Sequence, residues 1–154
     1  AAALAKADPE NASSYSTNRT KFVSKVRKLD VEIMERIKAI PEDARTVVTS
    51  HDAFGYFSKR YGIKFEAPQG LSTESEASAK DVAKLIKQIR DEKISAVFVE
   101  SITDNRLIRQ IARETGAKVG GTLYSDALSG PEGPAASYLK MMRYNSSKIF
   151  NALK

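Results

Sequence analysis

The sequence predicts an α/β fold in which a four-stranded parallel sheet is flanked by helices and preceded by one long spine helix. Two observations carry this prediction. Before Pro41, apolar residues recur at steps of three and four, which is the period of a buried helix face. After Arg45, short β-branched runs alternate with segments of helical period at a repeat of about 25–30 residues, as in βαβ units. Such alternation favours a parallel sheet with helices on both faces.

The first element is predicted to be one helix over residues 8–40. Asp8 can cap its start, Pro9 suits the first helical position, and Pro41 ends it. At ~1.5 Å per residue the helix would be about 50 Å long, which is more than one domain face needs. The apolar stripe weakens before Phe22, so we expect part of its partner surface to lie outside this sequence. The stripe consists of Phe22, Val26, Leu29, Ile33, Ile37 and Ile40.

The remaining elements follow in strict strand–helix order. Gly62 and Gly116 are typical of helix ends, and Ser78 with Asp81 three residues later resembles a capping box. A loop is predicted over residues 67–77. The strands are predicted at 46–49, 62–66, 95–100 and 118–124. The helices are predicted at 52–61, 78–89, 107–116 and 138–153.

Composition excludes several kinds of site. The chain has no cysteine, so disulfides, thiolate metal sites and cysteine nucleophiles are excluded. It has one histidine, His51, whereas catalytic zinc sites commonly use two or three. A transition metal held by this chain alone would therefore depend on His51 and carboxylates.

Charge and hydropathy narrow the class of protein further. The net charge is +6, but Lys and Arg are spread among Asp and Glu along the helical segments, which favours solvated faces over nucleic-acid binding. No apolar run approaches the ~18 residues of a membrane span. The opening residues lack the basic start and long apolar core of a signal peptide. We therefore expect either a mature form or a sequence whose front has been removed.

The candidate site lies at the carboxyl ends of the predicted strands, where open parallel sheets bind ligands. His51 follows the first strand, Glu100 ends the third, and Asp126 lies just past the fourth. Glu74 and Glu76 fall in the loop after the second strand. An imidazole with a carboxylate at adjacent strand ends suits Zn²⁺ or Mn²⁺, although two ligands make only half of a tetrahedral site.

Each candidate also has a structural interpretation. His51 could cap the helix expected from Asp52, Asp126 could be a turn residue, and Glu100 could be a strand-end residue in solvent. Gly120-Gly121 lacks the context of a phosphate loop and indicates close backbone approach within the sheet. The Met141-Met142 pair is predicted to pack in the core.

Several segments are similar to the cluster A-I, TroA-like substrate-binding proteins, which are metal receptors of ABC importers. The order and spacing of these segments agree over residues 8–154. The segments are Thr49–Gly62 (TSHDAFGYFSKRYG), Leu71–Lys80 (LSTESEASAK), Ala96–Ser101 (AVFVES), Gly120–Leu128 (GGTLYSDAL) and Gly133–Met142 (GPAASYLKMM).

The resemblance implies one lobe of a two-lobe receptor whose lobes are joined by a long helix. Residues 1–43 would be the interlobe spine and residues 44–154 the carboxy-terminal α/β metal-binding lobe. The amino-terminal lobe, which supplies two further histidine ligands in the family, is absent from this sequence. His51 and Asp126 match the ligands that the carboxy-terminal lobe supplies, and Glu100 is a candidate for orienting His51.

The resemblance also implies what the protein does and where. The transported ligand would be Zn²⁺ or Mn²⁺, captured without catalysis and delivered to an ABC permease from the periplasm or another extracytoplasmic space. An isolated lobe would bind the metal weakly or not at all, and we expect it to self-associate through apolar surface that the other lobe would cover.

Three other functions remain open on the residues alone. The first is an enzyme of doubly wound fold that uses His51 with Asp126 or Glu100, although the sequence has no nucleophile or cofactor fingerprint. The second is an interaction domain without a small ligand. The third is a basic module that binds nucleic acid with a steep dependence on salt.

Overall fold

The computed structural model describes residues 1–68 and 78–154 and confirms the predicted α/β architecture. A four-stranded, all-parallel sheet has the order β2-β1-β3-β4, and helices cover both of its faces. The strands are β1 (Thr46–Val48), β2 (Lys64–Glu66), β3 (Ala96–Glu100) and β4 (Lys118–Leu123). The helices are α1 (Ala2–Ala7), α2 (Ala12–Lys38), α3 (Gly55–Tyr61), α4 (Ala79–Asp91), α5 (Arg106–Thr115) and α6 (Tyr138–Leu153).

The predicted single helix over residues 8–40 is wrong at its amino end. The backbone of Asp8 is extended (φ −137°, ψ 79°), and a short 3-10 turn, Pro9–Asn11, separates α1 from α2. The ring of Pro9 disfavours helical geometry at the residue before it, so helix α1 ends before Asp8. Its carboxylate accepts hydrogen bonds from the side chains of Asn11 and Tyr15 (2.9 and 2.7 Å) and caps no backbone N–H.

The apolar stripe of α2 is buried only in its second half. Leu29, Ile33 and Ile37 are buried, whereas Val26 is half-buried and Phe22 is 49% exposed. The spine therefore packs on the sheet domain over its last three turns and presents its amino-terminal half to solvent. The division into a spine of residues 1–43 and a lobe of residues 44–154 stays a prediction.

Local signals fixed most of the other boundaries to within a few residues. Gly62 and Gly116 adopt left-handed φ values of +74° and +78° at the ends of α3 and α5, where a side chain would be strained. The Ser78 hydroxyl accepts a bond from the Asp81 N–H at 3.1 Å and caps α4, as predicted. The helix predicted from residue 52 begins only at Gly55, and most of the predicted 67–77 loop lies outside the described residues.

Two hydrophobic cores lie on opposite faces of the sheet because successive strand residues point to opposite sides. Val47, Ala96 and Phe98 face α2, α3 and α6, whereas Val48, Val97 and Val99 face α4 and α5. Met142 packs against the first core, and Met141 is half-buried beside it, which agrees with the predicted packing role. The sheet is therefore buried on both faces. Polar groups that bind a ligand are expected where the carboxyl ends of its parallel strands lie together.

An ion pair fastens α3 to the spine. Asp30 on α2 accepts hydrogen bonds from Arg60 Nε (2.8 Å), from a second Arg60 nitrogen, and from the Tyr61 hydroxyl (3.0 Å). The guanidinium holds the pKa of Asp30 below its usual value, while burial and the bond to Asp30 raise the pKa of Tyr61 to about 12. Helix α3, which follows the turn at His51, is thereby held against α2 through Arg60 and Tyr61.

Gly120 should be intolerant of even one added methyl group. A Cβ at this position would lie 2.5 Å from Cε1 of Phe98 and 3.0 Å from Cβ of Ala152, which agrees with the close approach predicted from the glycine pair. We expect Gly120→Ala to lower the free energy of unfolding in urea by about 1–3 kcal/mol, because overpacking displaces core side chains. Gly130→Ala, where nothing lies within 4 Å, is the control; equal stability of the two variants would contradict the packing argument.

Candidate metal centre

Three adjacent strands place the predicted site residues at one edge of the sheet. His51 follows β1 after a two-residue turn, Glu100 is the last residue of β3, and Asp126 lies three residues past the end of β4. Because all strands are parallel and β1, β3 and β4 are neighbours, their carboxyl ends converge. The structure thus brings together the three residues that the strand-end rule selected.

Glu100 is buried beneath His51. Its carboxylate is 0% exposed, so its interpretation as a solvated strand-end residue is wrong. Oε1 accepts hydrogen bonds from the backbone N–H groups of Ser50 (2.9 Å) and His51 (3.1 Å), and it lies 3.0 Å from Nδ1 of the His51 ring. One carboxylate oxygen therefore contacts both the backbone of the turn at Ser50 and His51 and the imidazole ring.

The second nitrogen of the His51 ring faces Asp126. Nε2 lies 3.1 Å from Oδ2 of Asp126, and the imidazole is 2% exposed, while the Asp126 side chain is 61% exposed. The ring does not cap α3, because that helix starts at Gly55 and its first turn has no side-chain cap. His51 is thus held between a buried carboxylate and a solvent-facing one.

The hydrogen bonds of Glu100 decide which ring nitrogen is available. Oε1 of Glu100 already accepts from two backbone N–H groups, so we assign the ring proton to Nδ1, which donates to the same buried oxygen. In the neutral imidazole Nε2 then carries a lone pair directed toward the Asp126 oxygen. Two electron donors that face each other at 3.1 Å form a site for a cation, either a proton or a metal ion.

The chemistry of a serine–histidine hydrolase is not assembled here. Both ring nitrogens of His51 face carboxylates, and among residues 1–68 and 78–154 the buried hydroxyls of Ser50 and Ser125 have no hydrogen-bond partner. A nucleophile activated by His51 would need its hydroxyl at the ring. In the described residues, both nitrogens of the His51 ring therefore face carboxylates and neither faces a hydroxyl.

The pair opens into a cavity of about 390 Å³. His51 and Asp126 line it together with Tyr56 and Lys59 of α3, and Tyr56 is almost fully exposed. In the part of the chain that the structure describes, no group of three or more His, Asp or Glu side chains could hold a metal ion. Glu74 and Glu76 lie outside that part. Asp52 also lines this cavity, so the described carboxylates around it are those of Asp52 and Asp126, beside the His51 imidazole.

The structure adds one polar residue that the sequence pattern did not reveal. Asn145 on α6 is 3% exposed, and its side chain bonds both the N–H and the C=O of Tyr124, two residues before Asp126. The available signal was a polar residue on the apolar face of α6, three positions after Met142 and four before Ile149. Such a position needs a hydrogen-bond partner, but the pattern alone does not say which.

Within the described residues, no helix combines the length and apolarity that crossing a bilayer requires. The longest helix, α2, has 27 residues and is largely polar over its first half. This agrees with the sequence, in which no apolar run has the length of a span.

Comparisons with known proteins agree with the fold and the resemblance. The chain is 37% identical over 147 residues to the iron-binding protein YfeA of Yersinia pestis, covering 96% of this chain and 47% of the relative. It is 37% identical over 158 residues to the manganese-binding lipoprotein MntA of Bacillus subtilis, covering 99% and 52%. The chain thus spans about half the length of the curated relatives it matches.

The structure itself is similar to a solved receptor. The periplasmic zinc-binding protein TroA from Treponema pallidum superposes with a TM-score of 0.93 at 31% identity, over 98% of this chain and 56% of that one. Residues 1–152 match the family described as zinc-uptake complex component A, periplasmic (ZnuA). The predicted resemblance is confirmed, and the chain belongs to this ZnuA/TroA family of metal-binding substrate-binding proteins.

Proposed function

We propose that this chain is the carboxy-terminal metal-binding half of an extracytoplasmic receptor that captures Zn²⁺ or Mn²⁺ for an ABC-type importer. His51 supplies Nε2 and Asp126 supplies a carboxylate oxygen to the transported ion. Glu100 does not bind the ion in this account; it fixes the proton on Nδ1 and the orientation of the ring. Partners that orient a ligating histidine in this way commonly determine metal affinity.

One observation carries the proposal. The free nitrogen of a buried imidazole and the oxygen of an exposed carboxylate lie 3.1 Å apart at the mouth of a cavity, while the other nitrogen is held by a fully buried carboxylate. A divalent ion at this place would take over the role of a proton between the two donors. An imidazole and a carboxylate are both common ligands of zinc.

The half-site supports a partner lobe as the source of the remaining ligands. Two donors leave a tetrahedral ion half coordinated, and the relatives of this chain are about twice its length. In this proposal residues 1–43 form the spine between lobes, residues 44–154 form the carboxy-terminal lobe, and an amino-terminal lobe adds two histidines. The exposed first half of α2, including Phe22, is the surface on which that lobe would pack.

We propose zinc or manganese as the transported ion. Relatives of this chain include iron-, manganese- and zinc-binding proteins, so membership of the family does not by itself select one metal. Imidazole nitrogen favours zinc, which also stands above manganese in intrinsic affinity, whereas added oxygen ligands favour manganese. In this proposal, capture is binding without turnover.

Metal uptake by cells tests this function directly. Deleting the encoding gene should lower the uptake of radioactive zinc or manganese from a metal-poor medium. The wild-type gene should restore uptake, and the His51→Ala gene should not, because the ion loses one of its ligands. Asp43→Ala is the control, since this exposed carboxylate lies before the amino end of β1, whereas His51 lies past its carboxyl end. Unchanged uptake after deletion, or full restoration by His51→Ala, would contradict the proposal.

A further inference from the structure

The backbone of Tyr124 follows the outer strand β4, beside which the described residues place no further strand. β4 is one of the two outer strands, and its last residue paired with β3 is Leu123, which lies opposite Glu100. One side chain satisfies the next residue: the Tyr124 N–H donates to Oδ1 of Asn145 (3.0 Å), and Nδ2 of Asn145 donates to the Tyr124 carbonyl (2.7 Å). The amide of Asn145 therefore pairs with Tyr124 as a neighbouring strand would.

The burial of Asn145 makes these two bonds costly to lose. The side chain is 3% exposed in the helix that packs on β4, and a buried amide without partners is strongly destabilising. Both ends of the amide are used on the same residue, which fixes its rotamer and the path of the chain after Leu123. The rings of Tyr124 and Tyr144, the residue before Asn145, also pack edge to face with centroids 5.6 Å apart.

Asp126 needs such an external constraint. It lies two residues beyond Tyr124, and its side chain is 61% exposed. Among residues 1–68 and 78–154, Nε2 of His51 is the one polar group that its carboxylate contacts. A single contact at a solvent-facing position holds a loop carboxylate weakly. The direction of the Asp126 side chain therefore depends on the start of the loop, where Asn145 holds the backbone of Tyr124.

We infer that Asn145 is a positioning residue that holds Asp126 against His51 by fixing the backbone of Tyr124. The importance of this role for metal capture rests on the proposed function. The positioning itself does not, because it concerns only the contacts among Asn145, Tyr124, Asp126 and His51. Asn145 contacts neither proposed ligand and acts only through the Tyr124 backbone.

A double-substitution cycle tests this inference through the NMR signals of His51, the one histidine in the chain. Asp126→Asn should shift the ring ¹⁵N and ¹H signals, because it removes a charge beside Nε2. In an Asn145→Ala background the same substitution should leave those signals nearly unchanged, since the carboxylate no longer faces the ring. Ser146→Ala is the matched control: this adjacent, equally buried residue donates its hydroxyl within α6, to Arg143, and the full shift should persist.

The outcomes separate positioning from stability and from metal binding. An equal shift in the wild-type and Asn145→Ala backgrounds would overturn the inference, as would its loss in the Ser146→Ala background. If Asn145→Ala does not fold, Asn145→Asp keeps the acceptor for the Tyr124 N–H and loses the donor; a reduced shift supports the inference and a full shift overturns it. Zinc that shifts signals elsewhere in the chain but leaves the wild-type ring signals unchanged would contradict the proposed ligands, while the cycle still reports on Asn145.

Discussion

Replacing His51 or Asp126 by alanine should remove most of the binding of Mn²⁺ to this chain. The two side chains are the proposed ligands at a cavity that Asp52 also lines, and each substitution leaves the ion with one of the two proposed ligands. We expect each substitution to weaken binding by at least about tenfold, which corresponds to ~1.4 kcal/mol. The effect should be similar for the two substitutions, because each one removes half of the same two-ligand chelate.

Paramagnetic broadening of NMR signals measures this binding even when it is weak. Substoichiometric Mn²⁺ should broaden the amide signals around His51 and Asp126 first, and this local broadening should disappear in both variants. Asp43→Ala, which removes an exposed carboxylate before β1, should leave it intact. Broadening that survives in both variants, or that is centred on other carboxylates of the chain, would contradict the assignment of the ligands.

Glu100→Ala should cause the largest loss of stability of any single substitution at the site. It removes the acceptor of two buried backbone N–H groups, those of Ser50 and His51, and the partner of Nδ1. Each unsatisfied buried donor costs about 1–3 kcal/mol, so the two amides together are expected to cost about 2–6 kcal/mol. Relief from burying the carboxylate, whose Oε2 has no hydrogen-bond partner in residues 1–68 and 78–154, offsets part of this cost.

Urea unfolding at neutral pH gives the comparison, with Glu100→Gln as the matched variant. Glutamine keeps an oxygen that can accept from both amides, so we expect it to lose much less stability than alanine does. It should nevertheless hold the His51 ring less firmly, because a neutral amide is a weaker acceptor than a carboxylate. A Glu100→Ala protein as stable as the wild type would show that the turn at Ser50 and His51 does not depend on this carboxylate.

The fold class was readable from the sequence because each local signal agreed with the global arrangement. β-branched runs became buried strands, Gly62 and Gly116 ended helices, and the capping serine began α4 at the predicted residue. Helix α1 before Asp8 and the 3-10 turn after it were missed because Asp-Pro fits two local structures. The pair can begin a helix, but the proline ring also forces the preceding residue out of helical geometry, and here a helix already preceded it.

The site was predictable as a set of candidate residues but not as an arrangement. The strand-end rule selected His51, Glu100 and Asp126, since neighbouring parallel strands end at the same edge. Nothing in AVFVE shows whether its final glutamate turns inward, because that depends on the loop of the neighbouring strand. Asn145 was out of reach for a similar reason: its partner, Tyr124, lies 21 positions away along the chain. Contacts between distant segments leave no local periodicity.

The protonation and metal response of the His51 ring test the central claim most directly. The chain has one histidine, so a long-range ¹H–¹⁵N spectrum contains the signals of a single imidazole. We expect a ring whose Nδ1 carries the proton shared with Glu100 and whose Nε2 signal is the ring signal that moves when Zn²⁺ binds, while Nδ1 stays protonated. A neutral ring with its proton on Nε2, or zinc binding that shifts signals elsewhere in the chain and leaves Nε2 unmoved, would contradict this claim.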